Sequence, residues 1–182
     1  MRYRNAVIVG YLGAIWCVTT AATVGDPVAS KSAAALEHYE RGEYAEALQL
    51  YRDAQLERPD MSELNFNVGG TLFKNGELET ALREFGQAAS AGSDDLKAAA
   101  HYNMGNVFYQ QNQYQQAIDA YRQALQLNSA DRDTKANLEL ALRQLQEQQQ
   151  QDQDQNQDQD QDQEQEQQQQ QNQEQEQQQQ NQ

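Results

Sequence analysis

AHYNMGNVFYQQNQYQQAIDAYRQALQLNSAD, residues 100 to 131, is the stretch that decides the fold. It holds two amphipathic segments joined by a polar turn. Tyr102, Gly105, Val107, Phe108 and Tyr109 mark the first, and Ala117, Ile118, Tyr121, Ala124 and Leu125 the second. Spacings of three and four put the second set on one stripe of a helix, and Gln111-Asn112-Gln113 breaks the pattern between them. One hairpin of this kind cannot hide both of its apolar faces. A stable fold needs the hairpin repeated.

It is repeated. Moving back 36 residues lays Gly105 on Gly69, Phe108 on Leu72, Asn112 on Gly76, Ala117 on Ala81, Tyr121 on Phe85 and Ala124 on Ala88. A further 34 residues back stand Ala35, His38, Gly42, Ala47, Tyr51 and Ala54, with His38 the one lapse in size class. A period of about 34 residues in helix-turn-helix units is the signature of tetratricopeptide repeats, and from about Val28 to Asn128 the chain resembles that family. The columns have a physical reason. Small residues (Ala35, Gly69, Gly105) let helices approach closely, while Tyr51, Phe85 and Tyr121 fill the space between neighbouring units.

The expected architecture is therefore all-α: a solenoid of three repeats at about 28–61, 62–97 and 98–131 plus a C-terminal capping helix at about 131–146. Within it, helices are expected from Val28 to Arg41, Tyr44 to Arg58, near Asp60 to Asn75 and Leu78 to Ala91, with Gly92-Ser93-Asp94-Asp95 capping the fifth. In the last helix Leu138, Leu142 and Leu145 share a face suited to covering the open end of the solenoid. The family pattern lapses at its bulky opening column (Lys31, Asn65, His101) and at its closing proline, kept only as Pro59.

Outside the repeats the composition changes sharply. Arg2 and Arg4 precede an uncharged run, with apolar centre AVIVGYLGAIWCV and small residues after it. Residues 1–25 thus read as a signal peptide, cleaved after Ala22, or as an N-terminal membrane anchor at residues 6–25. Cys17 and Trp16 are the chain's single cysteine and tryptophan, and cleavage after Ala22 would remove both. Residues 147–182 are almost entirely Gln, Asp, Glu and Asn, and read as a disordered tail that cannot bury enough apolar surface to fold. That tail carries ten of the 28 carboxylates and no cation, so the formal charge of −15 is concentrated there. An acidic chain without a basic patch argues against nucleic acid as a partner.

No catalytic or metal-binding constellation is legible, and no cofactor is expected. Asp152, Asp154, Asn156, Asp158 and Asp160 alternate like a calcium loop, but the turn glycine and the closing glutamate are missing in either register. His38 falls in an apolar column and His101 near the start of the fifth helix, without a second ligand at metal spacing. The chain does not read as an enzyme.

The resemblance supplies a candidate site instead. In tetratricopeptide-repeat proteins the first helices of successive units line a concave groove that holds extended peptides or partner helices. Projected here, that groove takes Tyr39, Phe73 and Tyr109 in one column, Phe66 and Tyr102 in a second and Asn67 and Asn103 in a third, with Asn106 one turn on. An asparagine amide both donates and accepts, so it can clasp a backbone, and aromatic rings beside it offer apolar anchors. The cations that some family members use to hold a terminal carboxylate are missing: Ala29, Ser32 and Ala33 are uncharged, and Lys74 stands nearly alone.

YNMGNVFYQQNQYQQAIDAYRQALQLNSADRDTKANLELAL followed by a Gln-rich tail also resembles the tetratricopeptide-repeat proteins of the bacterial Bat aerotolerance operons. That narrower resemblance implies an exported, periplasmic or inner-membrane-anchored scaffold, accompanied by von Willebrand factor A-domain proteins and a MoxR-type ATPase. The alternatives are a periplasmic factor for cell-wall or outer-membrane assembly, and a non-catalytic regulatory subunit of an envelope enzyme.

Overall fold

The computed structural model describes residues 25–151 and 153; the leader and most of the Gln-rich tail lie outside the described residues. The described residues are all helical, with helices α1 (Pro27–Glu40), α2 (Tyr44–Glu57), α3 (Ser62–Lys74), α4 (Leu78–Ala91), α5 (Asp94–Gln110) and α6 (Tyr114–Leu127), then α7 at residues 132–151. Contacts are most extensive within the pairs α1–α2, α3–α4 and α5–α6, and lesser ones join α2 to α3, α4 to α5 and α3 to α5. This is the three-repeat solenoid. The chain divides into two compact units after Leu142, and α7 supplies the described residues of the second from Arg143 onward.

The three turns inside the pairs are built alike. Gly42, Gly76 and Asn112 have φ of 77°, 85° and 58°, the left-handed region in which a Cβ is costly. In each case the next residue's N–H reaches back to the third-last helical carbonyl: Glu43 to His38, Glu77 to Leu72 and Gln113 to Phe108, all at 2.9 Å. The left-handed residue itself donates to Tyr39, Phe73 or Tyr109. These paired bonds satisfy carbonyls that the helix end would otherwise leave open. At the start of helices, Asp26 accepts from Val28 N at 2.9 Å, Ser93 Oγ from Leu96 N at 3.3 Å and Asp131 from Thr134 N at 2.9 Å. The third helix begins at Ser62 rather than near Asp60, because Pro59 and Asp60 are spent on a turn closed by Met61 N and Arg58 O.

Packing follows the repeat columns. A Cβ placed on Gly69 would sit 2.8 Å from Phe85 Cδ1, and one on Gly105 would reach 2.5 Å from Tyr121 Cδ1. Both rings are wholly buried, as are Ala35, Tyr51, Ala81, Ala88 and Ala117. Each ring thus lies flush against a helix backbone where a side chain is absent or minimal. In α7 the corresponding column holds Glu139, which is exposed.

Two members of the opening column, Asn65 and Lys31, make polar contacts instead of filling space. Asn65 bonds Gln55, which also donates to buried Glu84 at 3.2 Å, and Arg52 pairs with the same carboxylate at 2.6 Å. This cluster ties α2, α3 and α4 across the first repeat boundary. Lys31 pairs with Glu57. His38 leaves the apolar column expected of it and faces the first turn, with Nδ1 2.6 Å from Glu43 Oε2 and Arg41 alongside. Hydrogen bonds from Arg41 and then His38 hold the exposed Glu43 carboxyl below its usual range.

Two expectations for the C-terminal part need correction. The face of α7 that packs is Thr134, Leu138 and Ala141 with Asn137, while Leu142 stays 42% exposed. Polar bonds from Asn137 to α5 fix that rotation. The helix also runs past Gln146 to Gln151, in keeping with the good helix propensity of Gln and Glu.

Glycine-to-alanine replacement should have opposite signs at two sites. No atom lies within 4 Å of where a Cβ on Gly86 would stand, so Gly86→Ala should stabilise by about 0.5–1 kcal/mol through helix propensity. Gly105→Ala must push aside the buried Tyr121 ring and should destabilise by about 1–3 kcal/mol. Urea denaturation of the two variants checks the pair, and equal shifts would remove the ring-against-backbone contact from the account.

Candidate functional site: the face of α1, α3 and α5

The predicted columns fall at equivalent positions of α1, α3 and α5, and their residues differ in how far they are already engaged. Tyr39, Phe73 and Tyr109 are each half-buried. Tyr39 meets Tyr44 edge to face with centroids 5.4 Å apart, and Tyr109 meets Tyr114 in the same way at 5.4 Å. Phe73 packs against the edge of the core. Part of each ring's surface stays accessible while neighbouring residues pack against the rest.

Phe66 and Tyr102 sit deeper, at 4% and 8% exposure. Phe66 lies edge to face on Phe85 at 5.7 Å, and Tyr102 is tilted over Tyr121 at 6.0 Å. Both therefore serve the packing of their own repeats. Asn67, Asn103 and Asn106 are also buried.

Around Asn106 the polar groups form a closed set that sequence reasoning missed. Its Oδ1 accepts from Tyr121 Oη at 2.8 Å and from Asn137 Nδ2 at 3.0 Å, and its Nδ2 approaches Asn103 Oδ1 at 3.5 Å. Asn137 Nδ2 also reaches Tyr102 Oη at 3.2 Å. The expected backbone clasp at Asn106 thus has both acceptor positions already taken by α6 and α7. A signal for this existed: Asn137 lies 34 residues after Asn103 and 70 after Asn67, so α7 continues the repeat register.

At the other end, α1 shows the reverse. Ser32 is 8% exposed, and its Oγ and the buried Tyr39 Oη have no hydrogen-bond partner among the described residues. Ser32, Leu36 and Tyr39 share one face of α1, at spacings of four and three. In the repeat register Leu36 corresponds to Gly70 of α3, which is buried and has no neighbouring element within 4 Å of where a Cβ would stand. His101 Nδ1 is likewise buried without a partner, and burial holds that imidazole below its ordinary value.

Among the described residues no group of His, Cys, Asp and Glu could hold a metal ion, and no helix is long and apolar enough to cross a membrane. The arrangement offers rings, amides and hydroxyls for binding.

Comparisons with known proteins agree with this architecture. Family patterns described as tetratricopeptide repeat match residues 32–96 and 98–131. The chain belongs to the tetratricopeptide-repeat family. Among solved structures, the Sgt2 TPR domain from Aspergillus fumigatus is 20% identical with a TM-score of 0.62, over 68% of this chain and 82% of that one. The first TPR of Spaghetti (RPAP3) bound to the HSP90 peptide SRMEEVD is 16% identical, with a TM-score of 0.61 over 65% and 93%. The first TPR domain of human RPAP3 gives the same identity and TM-score over 66% and 94%. At such identities the likeness concerns the fold. No curated protein matches the chain.

Burial pushes the Tyr39 phenol up to about 12, with the nearby Tyr44 adding to the shift, and it raises Tyr102 and Tyr121 as well. These phenols are neutral when folded, whereas the unfolded chain loses such protons near pH 10. A raised acid pKa leaves stability intact below that pH and drains it as pH rises further, since the unfolded state then binds fewer protons. Urea midpoints should hold up to about pH 10 and fall above it. Tyr39→Phe should flatten the fall between pH 10 and about 12; an unchanged slope would place the Tyr39 hydroxyl in water.

Proposed function

We propose that this chain is an exported scaffold of the bacterial envelope whose concave face holds a segment of another protein and which contributes no reactive group of its own. The observation that carries the reading is the aromatic column Tyr39, Phe73 and Tyr109. Three equivalent helices present these rings half-buried, each steadied from behind and each with surface to spare. Such rings anchor a partner through apolar area at small entropic cost.

The ligand's character follows from what surrounds the column. Ala29, Ser32 and Ala33 stand where a cationic clamp would have to be, so the acidic peptide seen in the Spaghetti structure is a poor match for this face. An apolar segment with its charges outside the contact fits better. The partners proposed are von Willebrand factor A-domain membrane proteins, on the strength of the resemblance carried by the third repeat, the NLELAL helix and the Gln-rich tail. The leader, residues 1–25, would deliver the chain to the periplasm or tether it to the inner membrane.

Affinity purification of the tagged full chain from envelope extract tests this. A-domain proteins should co-purify, and Phe73→Ser should weaken their capture by about tenfold or more, as loss of a central aromatic anchor does. Recovery of cell-wall or outer-membrane assembly machinery instead would replace the proposed partners. Turnover by the purified chain alone would end the scaffold reading.

A further inference from the structure

α3 carries a feature that the other two first helices lack. Glu63, Asn67, Gly70 and Lys74 follow one another at spacings of four, three and four, so they form a single stripe along the helix. Glu63 and Lys74 are 11 residues apart, about three full turns, which sets them on the same side of α3 about 16 Å from one another. Phe66 and Phe73 flank the stripe. The equivalents of Glu63 are Ala29 and Ala99, and those of Lys74 are Glu40 and Gln110. Among the three first helices, only α3 sets an acid and a base at these two positions.

Both charges lack a counter-charge. Of the five Lys and Arg between residues 26 and 75, Lys31, Arg41, Arg52 and Arg58 sit in ion pairs. Lys74 is exposed and pairs with no carboxylate among the described residues, and half-buried Glu63 pairs with no cation there. Acid in the first turn and base in the last suit the macrodipole of α3, which accounts for their order without giving either a partner. Between them, no neighbouring element stands within 4 Å of where a Cβ on Gly70 would be, and a missing side chain lets another backbone approach closely.

We infer that this stripe reads the two ends of the bound segment: the occupant is an extended apolar stretch of a partner protein with a basic side chain that meets Glu63 and, about five residues away, an acidic one that meets Lys74. This rests on the proposed reading of that face as a ligand site and names the ligand's charge pattern. Five extended residues cover about 16 Å, the separation of the two charges along α3. The apolar stretch then crosses Gly70 beside Phe73. The charges supply selectivity more than strength, because an ion pair in water is weak while a like charge placed opposite either residue is repelled.

Three dye-labelled six-residue peptides, their termini blocked, test this by fluorescence anisotropy with the purified full chain. Each has four apolar residues between its end residues, which are Arg and Glu, Arg and Arg, or Glu and Glu. The Arg/Glu peptide should bind several-fold tighter than either of the others. Lys74→Glu should move the preference to the Arg/Arg peptide, and Glu63→Lys should move it to the Glu/Glu peptide; either variant decides the matter if the other fails to fold. Equal binding of all three peptides by the native chain would overturn the inference, as would a preference that neither variant changes. A lower melting temperature with unchanged preference would assign the two charges to the helix dipole alone and overturn it equally. So would absence of binding by every peptide. Capture of A-domain proteins that Phe73→Ser weakens, beside any of these failures, would leave the proposed function standing, whereas a switched peptide preference with no protein captured would sink only the proposed partners.

Discussion

The structure depends on rings seated against bare backbone. Tyr121 on Gly105 and Phe85 on Gly69 bring the two helices of a repeat so close that no Cβ fits between them, and Tyr51 lies buried in the equivalent place beside Ala35. Close packing of this kind sets how each pair is clamped, and the clamp holds the first helices in register. The aromatic column Tyr39, Phe73 and Tyr109, each four residues on from Ala35, Gly69 and Gly105, inherits its spacing from that constraint. The spacing of those rings is thus set by the packing inside each repeat.

Much of this was legible in the sequence because the constraint acts on size. Gly105, Gly69 and Ala35, with Tyr121, Phe85 and Tyr51, recur at a fixed period, and the turns at Gly42, Gly76 and Asn112 recur with them. Polar pairing was harder to see. Asn106 read as a free clasp because an amide's partners depend on which helix arrives beside it, and Asn137 comes from 31 residues away. His38 was placed in the core by its column, yet a carboxylate one turn away draws it to the surface. The stripe of Leu138 and Leu142 misjudged the rotation of α7 for the same reason: hydrogen bonds from Asn137, invisible to apolar periodicity, outweigh a leucine's preference for cover.

The two ends of the repeat array differ in how their buried polar groups are paired. Around Asn106 the amides and phenols bond one another, while His101 Nδ1 on the same helix has no partner among the described residues. On α1 the hydroxyls of Ser32 and Tyr39 stay without partners among the described residues.

Glu139 occupies the α7 column that is Ala35, Gly69 and Gly105 in the repeats, and it projects into water. A ring-bearing helix from another molecule, trying to add itself as second helices do, would have to bury that carboxylate without a counter-charge. Repeat proteins risk endless addition, since any unsealed end invites the next unit and produces fibres. An exposed carboxylate in that column disfavours such addition.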